Sequence, residues 1–483
     1  RSVDVFVSDY LSPVLFYGIP TGLSQEVMDD AGKMIETPVK IPLILLTLVS
    51  GGFIFTFLHG FINLRLFGHS LQVIRGRFDH PDDEGEITHF QALTSALSAT
   101  VGLGNIAGVA VAIATGGPGA VFWMWVIAFF GMSMKFSSCS FAQLYRRVKP
   151  DGTVLGGPMI YLDEGIKEHL PSLAWLGKAF GVVFAVFTMF AAFGGGNMFQ
   201  GNQSFSIISQ QFKWPQEYAW LFGVILAILV GLVIIGGIRR IGEVTSKLVP
   251  AMCGFYCICC LIIILNNVQE VPTMFVDIFR SAFTLKAGVG GLVGVLLIGA
   301  KRAAFSNEAG LGSAAIAHAA AKTKEPIREG VVAMIGPFID TIVVCTMTAL
   351  TILITKSHLQ PGEGIELTTR SFATLGDWAP YLLCIAVFVF AYSTMISWSY
   401  YGERATEYLL GLAWVVPYRC LYVLMVVLGP ILSLQAVVDF SDMMLLSMAF
   451  PNILGMLLLT KVIRPKVKDY VARLRSGEMK PVK

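Results

Sequence analysis

Charge is what this 483-residue sequence has least of. Charged residues make up 14% of it against 55% hydrophobic, where an ordinary soluble protein carries about 25% charged residues. The mean hydropathy of +0.69 points the same way. So much apolar surface does not fit one or two water-soluble cores. The long uncharged stretches recur along the whole chain, which reads as an all-α polytopic membrane protein and not as an aqueous enzyme. A net charge of +3 gives no reason to expect a nucleic-acid partner. No Gly-x-x-x-x-Gly-Lys-Ser/Thr phosphate loop occurs, so ATP is not expected to power the protein directly. No His-Glu-x-x-His motif occurs, the seven histidines are scattered, and Gly312-Ser313 lacks the spacing of a nucleophile elbow. Cys253, Cys257, Cys259 and Cys260 cluster without a nearby His or Asp, which suits buried thiols better than a metal site, and no disulfide is implied. Residues 1–40 contain no uninterrupted apolar run with basic flanks of the signal-peptide kind.

What is present is a series of apolar runs near the length of about 20 residues that a membrane helix needs. Eleven are expected, at 41–64, 89–113, 118–143, 174–210, 218–238, 247–265, 285–318, 331–355, 379–402, 418–436 and 440–461. If the 65–88 loop is cytoplasmic, Lys and Arg favour the cytoplasmic loops nearly three to one, as the positive-inside rule asks. An odd number of spans then puts the N-terminus outside and the C-terminus inside a cell membrane.

Forty-nine glycines stand out in so apolar a chain. Part of the excess falls in two segments that look wrong for simple helices, Ser98-Ala-Thr-Val-Gly-Leu-Gly-Asn-Ile-Ala-Gly108 and Gly299-Ala-Lys-Arg-Ala-Ala-Phe-Ser-Asn-Glu-Ala-Gly-Leu-Gly-Ser313. Glycine weakens a helix by about 1 kcal/mol relative to alanine, so both are places for a helix to break. Each opens a block of five segments, 89–266 and 285–461, of nearly equal length. Because five is odd, the second block enters the membrane from the opposite side. Paired interrupted helices in two inverted halves point to a secondary transporter. The 1–40 region is expected to be extracytoplasmic, 41–64 to be an extra helix outside the repeat, and 462–483 to be a basic cytoplasmic tail.

A mid-membrane break exposes N–H groups that suit a carboxylate and C=O groups that suit a small cation. Gly102, Gly104 and Asn105 are the candidates in the first break. Gln200, in the amide-rich run 194–203, is placed to reach a substrate, or else to bridge helices together with Asn197. Ser393 and Thr394 offer hydroxyl oxygens to a hard cation such as sodium, or else bond back to their own helix. Trp398 caps a pocket or packs a helix. Lys301, Arg302, Glu308, Asp340, Glu403 and Arg404 are costly at membrane depth and need partners. Asp340 is a candidate proton site. Two rival readings stay open. Thr100-Val-Gly-Leu-Gly104 resembles a potassium-channel filter, although it sits inside a full-length span. His318 and Glu308 keep an intramembrane enzyme in view.

The runs Thr100-Val-Gly-Leu-Gly-Asn-Ile-Ala-Gly-Val-Ala110, Thr115-Gly-Gly-Pro-Gly-Ala-Val-Phe-Trp-Met-Trp125, Gly156-Gly-Pro158, Phe305-Ser-Asn-Glu-Ala-Gly-Leu-Gly-Ser313, Phe390-Ala-Tyr-Ser-Thr394 and Tyr401-Gly-Glu403 closely resemble the alanine or glycine:cation symporter family, over about residues 40–465. The resemblance implies sodium-coupled, sometimes proton-coupled, uptake of alanine or glycine, with no cofactor beyond the coupling ion. It implies a LeuT-type fold of five plus five inverted helices whose first and sixth core helices are broken. It also implies a sodium site made by Ser393, Thr394 and backbone carbonyls near Ala99 and Gly102. The amino acid would then sit beside Thr100, Gly102, Gly104 and Asn105, enclosed by Gln200, the second break near Gly299, and Trp398. A tight pocket walled by a large aromatic would select small side chains. Residues 1–40 depart from the expected pattern, being longer and carrying Gln25-Glu26 and Asp29-Asp30.

Overall fold

The computed structural model describes residues 17–28, 34–80, 83–284, 288–360, 362 and 364–482. It opens with a hairpin in which β1 (Gly18–Met28) pairs antiparallel with β2 (Met34–Pro42). This corrects the all-α expectation at one end of the chain. Proline at 20, 38 and 42 denies these residues a helix, and Val27, Ile35, Thr37, Val39 and Ile41 favour extended backbone. A two-residue pairing of Arg147–Val148 with Val154–Leu155 is the other strand pair among the described residues.

Each of the eleven apolar segments contains a helix. They are α1 (Leu43–Leu58), the bent pair α2 (His89–Thr100) and α3 (Leu103–Gly116), α4 (Gly119–Leu144), α5 (Pro171–Phe212), α6 (Gln216–Ile234) and α7 (Gly237–Asn266). Then follow α8 (Gly288–Asn307) and α9 (Ala314–Ala319), α10 (Pro326–Ile354), α11 (Ala379–Leu410), α12 (Leu412–Ile431) and α13 (Leu434–Leu458). By length and composition, among the described residues, α4 to α7 and α10 to α13 are eight helices able to cross a membrane, and the bent pair brings the number to nine. α1 and α8 occupy the two remaining segments. α14 (Thr460–Arg475) follows α13 after one residue.

The local causes of the first break are visible. α2 starts at a capping box, in which Thr88 Oγ1 accepts from the Gln91 N–H at 3.2 Å and Gln91 Oε1 accepts from the Thr88 N–H at 3.0 Å. It ends where Gly102 turns extended, at φ −138° and ψ −153°. Asn105 Oδ1 then accepts the Gly102 N–H at 3.0 Å, a local bond that replaces a helical one. α3 leaves at 61° to α2.

The second break is made differently. α8 is continuous to Asn307, after which Glu308, Gly310 and Gly312 all have positive φ, at 54°, 86° and 93°. Glycine takes these values freely, whereas Glu308 does so at a cost of about 1–3 kcal/mol. A Cβ on Gly312 would also stand 2.7 Å from Pro158 and 2.9 Å from Asn452.

At the other end of the chain, α14 lays Ile463, Val467, Tyr470 and Val471 against the bundle. Tyr470 Oη pairs with His69 Nε2 at 2.8 Å, and Arg473 forks onto Glu325 at 2.7 and 3.0 Å. Burial, with Arg328 nearby, pushes the His69 imidazole down to about 4, so it packs as a neutral ring.

Candidate functional site at two helix breaks

The two breaks touch. Asn105 Nδ2 donates to Ser306 Oγ and to the Asp340 carbonyl, both at 3.2 Å, while its own carbonyl accepts from Thr348 at 2.8 Å. A Cβ on Gly104 would stand 3.1 Å from the Phe305 ring, a tight approach that would push the ring back by a few tenths of an ångström.

On the other flank, α11 is laced to the end of α2. Ser98 Oγ donates to the Ser393 carbonyl at 2.6 Å, and Thr394 Oγ1 donates to the Ser98 carbonyl at 3.0 Å. Thr394 Oγ1 lies 2.7 Å, and Gln200 Oε1 3.4 Å, from the point a Cβ on Gly102 would occupy. Gln200 donates its amide to the Gly195 carbonyl at 2.9 Å. Its Oε1 is buried with no hydrogen-bond partner among the described residues. Such a group costs about 1–3 kcal/mol unless something binds it.

Gly102, Gly104, Asn105, Gln200 and Thr394 are thus brought together. Ala99 and Thr100 lie buried in the last turn of α2. Thr100 Oγ1 bonds back to the Leu97 carbonyl at 3.3 Å, and Ser393 Oγ to the Phe390 carbonyl at 2.9 Å. These two hydroxyls therefore follow the intrahelical alternative. Trp398, four residues beyond Thr394, lies over Gly196, where a Cβ would stand 2.3 Å from its ring. Gly194–Met198 is a π-helical turn, a widening that recurs at functional sites, and Gly196 within it seats the indole. The Trp398 indole also reaches the Glu308 carboxylate, linking α11 to the second break. Asn197 bridges helices instead, donating to the Tyr422 carbonyl at 2.8 Å.

Gly299 is not brought to the site. The expected break near it falls at 308–313, and Gly299 lies inside continuous α8. There a Cβ would stand 2.7 Å from the Ala120 carbonyl oxygen and 2.7 Å from Trp123 Cβ. Its lack of a side chain serves close packing of α8 on α4.

The charges at depth find partners. Lys301 pairs with Asp442 at 2.7 Å, and Arg302 reaches the same carboxylate at 3.3 Å. Glu403 pairs with Arg404 at 2.5 Å and with Arg419 at 2.6 Å. Lys135 donates to the Asn307 carbonyl at 3.1 Å and faces Glu308 and Asp340. Asp340 Oδ1 accepts from Thr341 at 2.9 Å and from Ser306, while Oδ2 is buried without a partner among the described residues.

Sequence reasoning gave no role to Phe305 or Ser306, although both lie inside a quoted motif. Nor did it foresee the π-helical stretch Phe338–Cys345 that turns Asp340 and Thr341 toward the breaks. No glycine announces that stretch.

Two interrupted helices that meet around buried, unpaired polar atoms inside an apolar helical bundle define a multi-pass membrane transporter. The sodium:alanine symporter family model matches residues 25–483, and the chain belongs to that family. It is 43% identical to the sodium/alanine symporter AgcS of Methanococcus maripaludis, over 91% of this chain and 96% of that protein. It is 34% identical to the probable sodium/glutamine symporter GlnT of Bacillus subtilis, over 90% of this chain and 89% of that one. Among solved structures it resembles MhsT in complex with L-phenylalanine, with a TM-score of 0.55 and 14% identity, covering 78% of this chain and 89% of that one. That likeness shows the LeuT-type fold.

Proposed function

We propose that the protein is a secondary active symporter that couples inward sodium flow to uptake of a small neutral amino acid, alanine or glycine, by alternating access. On this reading it has eleven spans, ten of them in two inverted blocks of five, with the N-terminus outside and the C-terminus cytoplasmic. The observation that carries it is the convergence of Thr394 Oγ1 and the unpartnered Gln200 Oε1 on the bare backbone at Gly102. Sodium would be held by Thr394, a reoriented Ser393 and the carbonyl oxygens at Ala99 and Gly102. The amino acid would lie against Thr100, Gly102, Gly104 and Asn105, with Gln200 accepting from its ammonium group. Phe199 and Phe305, whose rings meet edge-on at 5.5 Å, and Trp398 would leave room for a small side chain only. The name of the relative GlnT makes the larger glutamine the competing substrate to test.

Sodium and amino acid sharing one break would raise each other's affinity by the same factor. Reconstitution of the purified protein into liposomes tests the whole reading. An imposed sodium gradient is expected to drive saturable accumulation of labelled alanine, in excess over glutamine. Alanine binding indifferent to sodium would sink it. Flux without concentration would indicate a channel, and chemical change of the solute an enzyme. Proton coupling is a second reading, favoured by the buried, unpartnered Asp340 Oδ2. Accumulation driven by a pH gradient without sodium would select it.

A further inference from the structure

His89, His318 and Glu329 lie outside the site and have no part in the function proposed above. His89 is the first residue of α2, His318 lies in α9, and Glu329 lies in the first turn of α10. All three are buried. His318 Nδ1 pairs with one oxygen of the Glu329 carboxylate at 2.5 Å, and His89 Nδ1 pairs with the other. One carboxylate therefore ties together the two half-helices that lie on the same side of the two breaks. The Ile87 bridge to Ala321, just before α2 and just after α9, closes the same end. By the orientation proposed above, this end is cytoplasmic.

Each imidazole keeps a buried Nε2 with no hydrogen-bond partner among the described residues. The Nε2 of His89 lies 3.9 Å from Asp79 Oδ1, on a side chain that is 36% exposed. Glu329 thus links His89 to His318, with Asp79 on the water side of His89 beyond hydrogen-bond distance. The other groups facing it are Cys139 of α4 and Arg146 just beyond α4. The Arg146 guanidinium is committed to carbonyl oxygens, with Glu84 at 2.7 Å, Thr323 at 2.9 Å and Ala319 at 3.0 Å. Glu84 and Asp83 face the same guanidinium alongside Glu329. Among the described residues no group of His, Cys, Asp and Glu is arranged to hold a metal ion.

We propose that His89, Glu329 and His318 form a proton-binding latch that holds α2 and α9 against α10, so that protons on the cytoplasmic side control opening of that side. With both imidazoles neutral, the triad by itself carries one negative charge. One added proton makes it neutral overall, a carboxylate held between an imidazole and an imidazolium, and burying a paired charge costs far less than burying a single one. Acid therefore tightens the latch and alkali loosens it. Transport chemistry is not needed for this device, so its test is independent of substrate.

Cys139 is fully buried beside Glu329 and reports on the latch. N-ethylmaleimide labelling of Cys139 in the purified full-length protein, read by peptide mass spectrometry, measures opening. The reference is the H89Q/H318Q variant, whose amides can still donate to Glu329 but do not titrate. At each pH the ratio of wild-type to variant labelling cancels the thiol's own ionisation. The ratio is expected to fall about tenfold from pH 8 to pH 6. A constant ratio would overturn the latch. E329Q, which removes the shared carboxylate, is expected to label rapidly at both pH values. E329Q protection that matches wild type at both would overturn it equally.

Discussion

The two helix breaks are built from opposite materials. The α2/α3 break is uncharged. Asn105, Thr394 and Gln200 surround it, its glycine is extended rather than left-handed, and one amide oxygen is left unpaired. The α8/α9 break is ionic. Lys135, Glu308 and Asp340 surround it, three residues in five have positive φ, and Ser313 donates to Glu308. In a low-dielectric interior an ion network fixes geometry, because breaking it strands a charge. A set of neutral dipoles with one open position can accept a ligand and release it. On the proposed reading the first break binds and the second holds shape, and Asn105 bonded to Ser306 couples them.

The largest effect expected from this contrast is on the ionic side. Lys135→Met leaves Glu308 and Asp340 buried without their cation, and loss of one member of such a group typically costs about 3–5 kcal/mol. The purified variant is expected to melt far below wild type or to fail to accumulate. A variant as stable as wild type would erase the distinction between the breaks. On the neutral side, Ser393→Ala with Thr394→Ala is expected to weaken apparent sodium affinity at least about tenfold, or about 1.4 kcal/mol, with a smaller fall in melting temperature from the lost Thr394 bond to the Ser98 carbonyl. Sodium-dependent uptake and thermal unfolding on the same preparation separate the two effects. Equal losses in both would make the first break structural too. Trp398→Ala is a smaller change that lies between the breaks. It opens space beside Gly196 and Glu308, and uptake of larger amino acids is expected to rise several-fold relative to alanine. Unchanged selectivity would assign the indole to packing alone.

How far this contrast was legible in the sequence depended on which residues carried it. The apolar runs showed where helices lie, because a membrane leaves the backbone few alternatives. The hairpin at 18–42 was not legible, since that region has no apolar run and its strands depend on pairing with each other. Gly102 and Asn105 announced the first break correctly, because glycine beside an amide is a local cause of helix ending. Glu308 announced nothing about backbone strain, and the π-helical turn at 338–345 has no compositional mark. Thr394 and Ser393 are adjacent and chemically alike. Only the register of α11 against α2 shows that one hydroxyl faces the break while the other bonds to its own helix.

Gly299 gives the smallest and most specific test of the comparison, because glycine is read in opposite ways on the two sides of it. At Gly102 the missing side chain leaves space that polar atoms enter. At Gly299 it lets α8 meet α4, with the Ala120 carbonyl oxygen 2.7 Å from a would-be Cβ. Gly299→Ala forces that backbone contact apart, and overpacking of this kind costs typically about 1–3 kcal/mol. The helix itself gains slightly from alanine, by up to about 1 kcal/mol, so a modest net fall in melting temperature is expected. Apparent affinities for sodium and alanine should not change, because α8 is continuous through this residue and the break lies more than two turns away. A shift in either affinity would move the second break's ligand face back toward Gly299 and would mean that the ionic break also binds substrate.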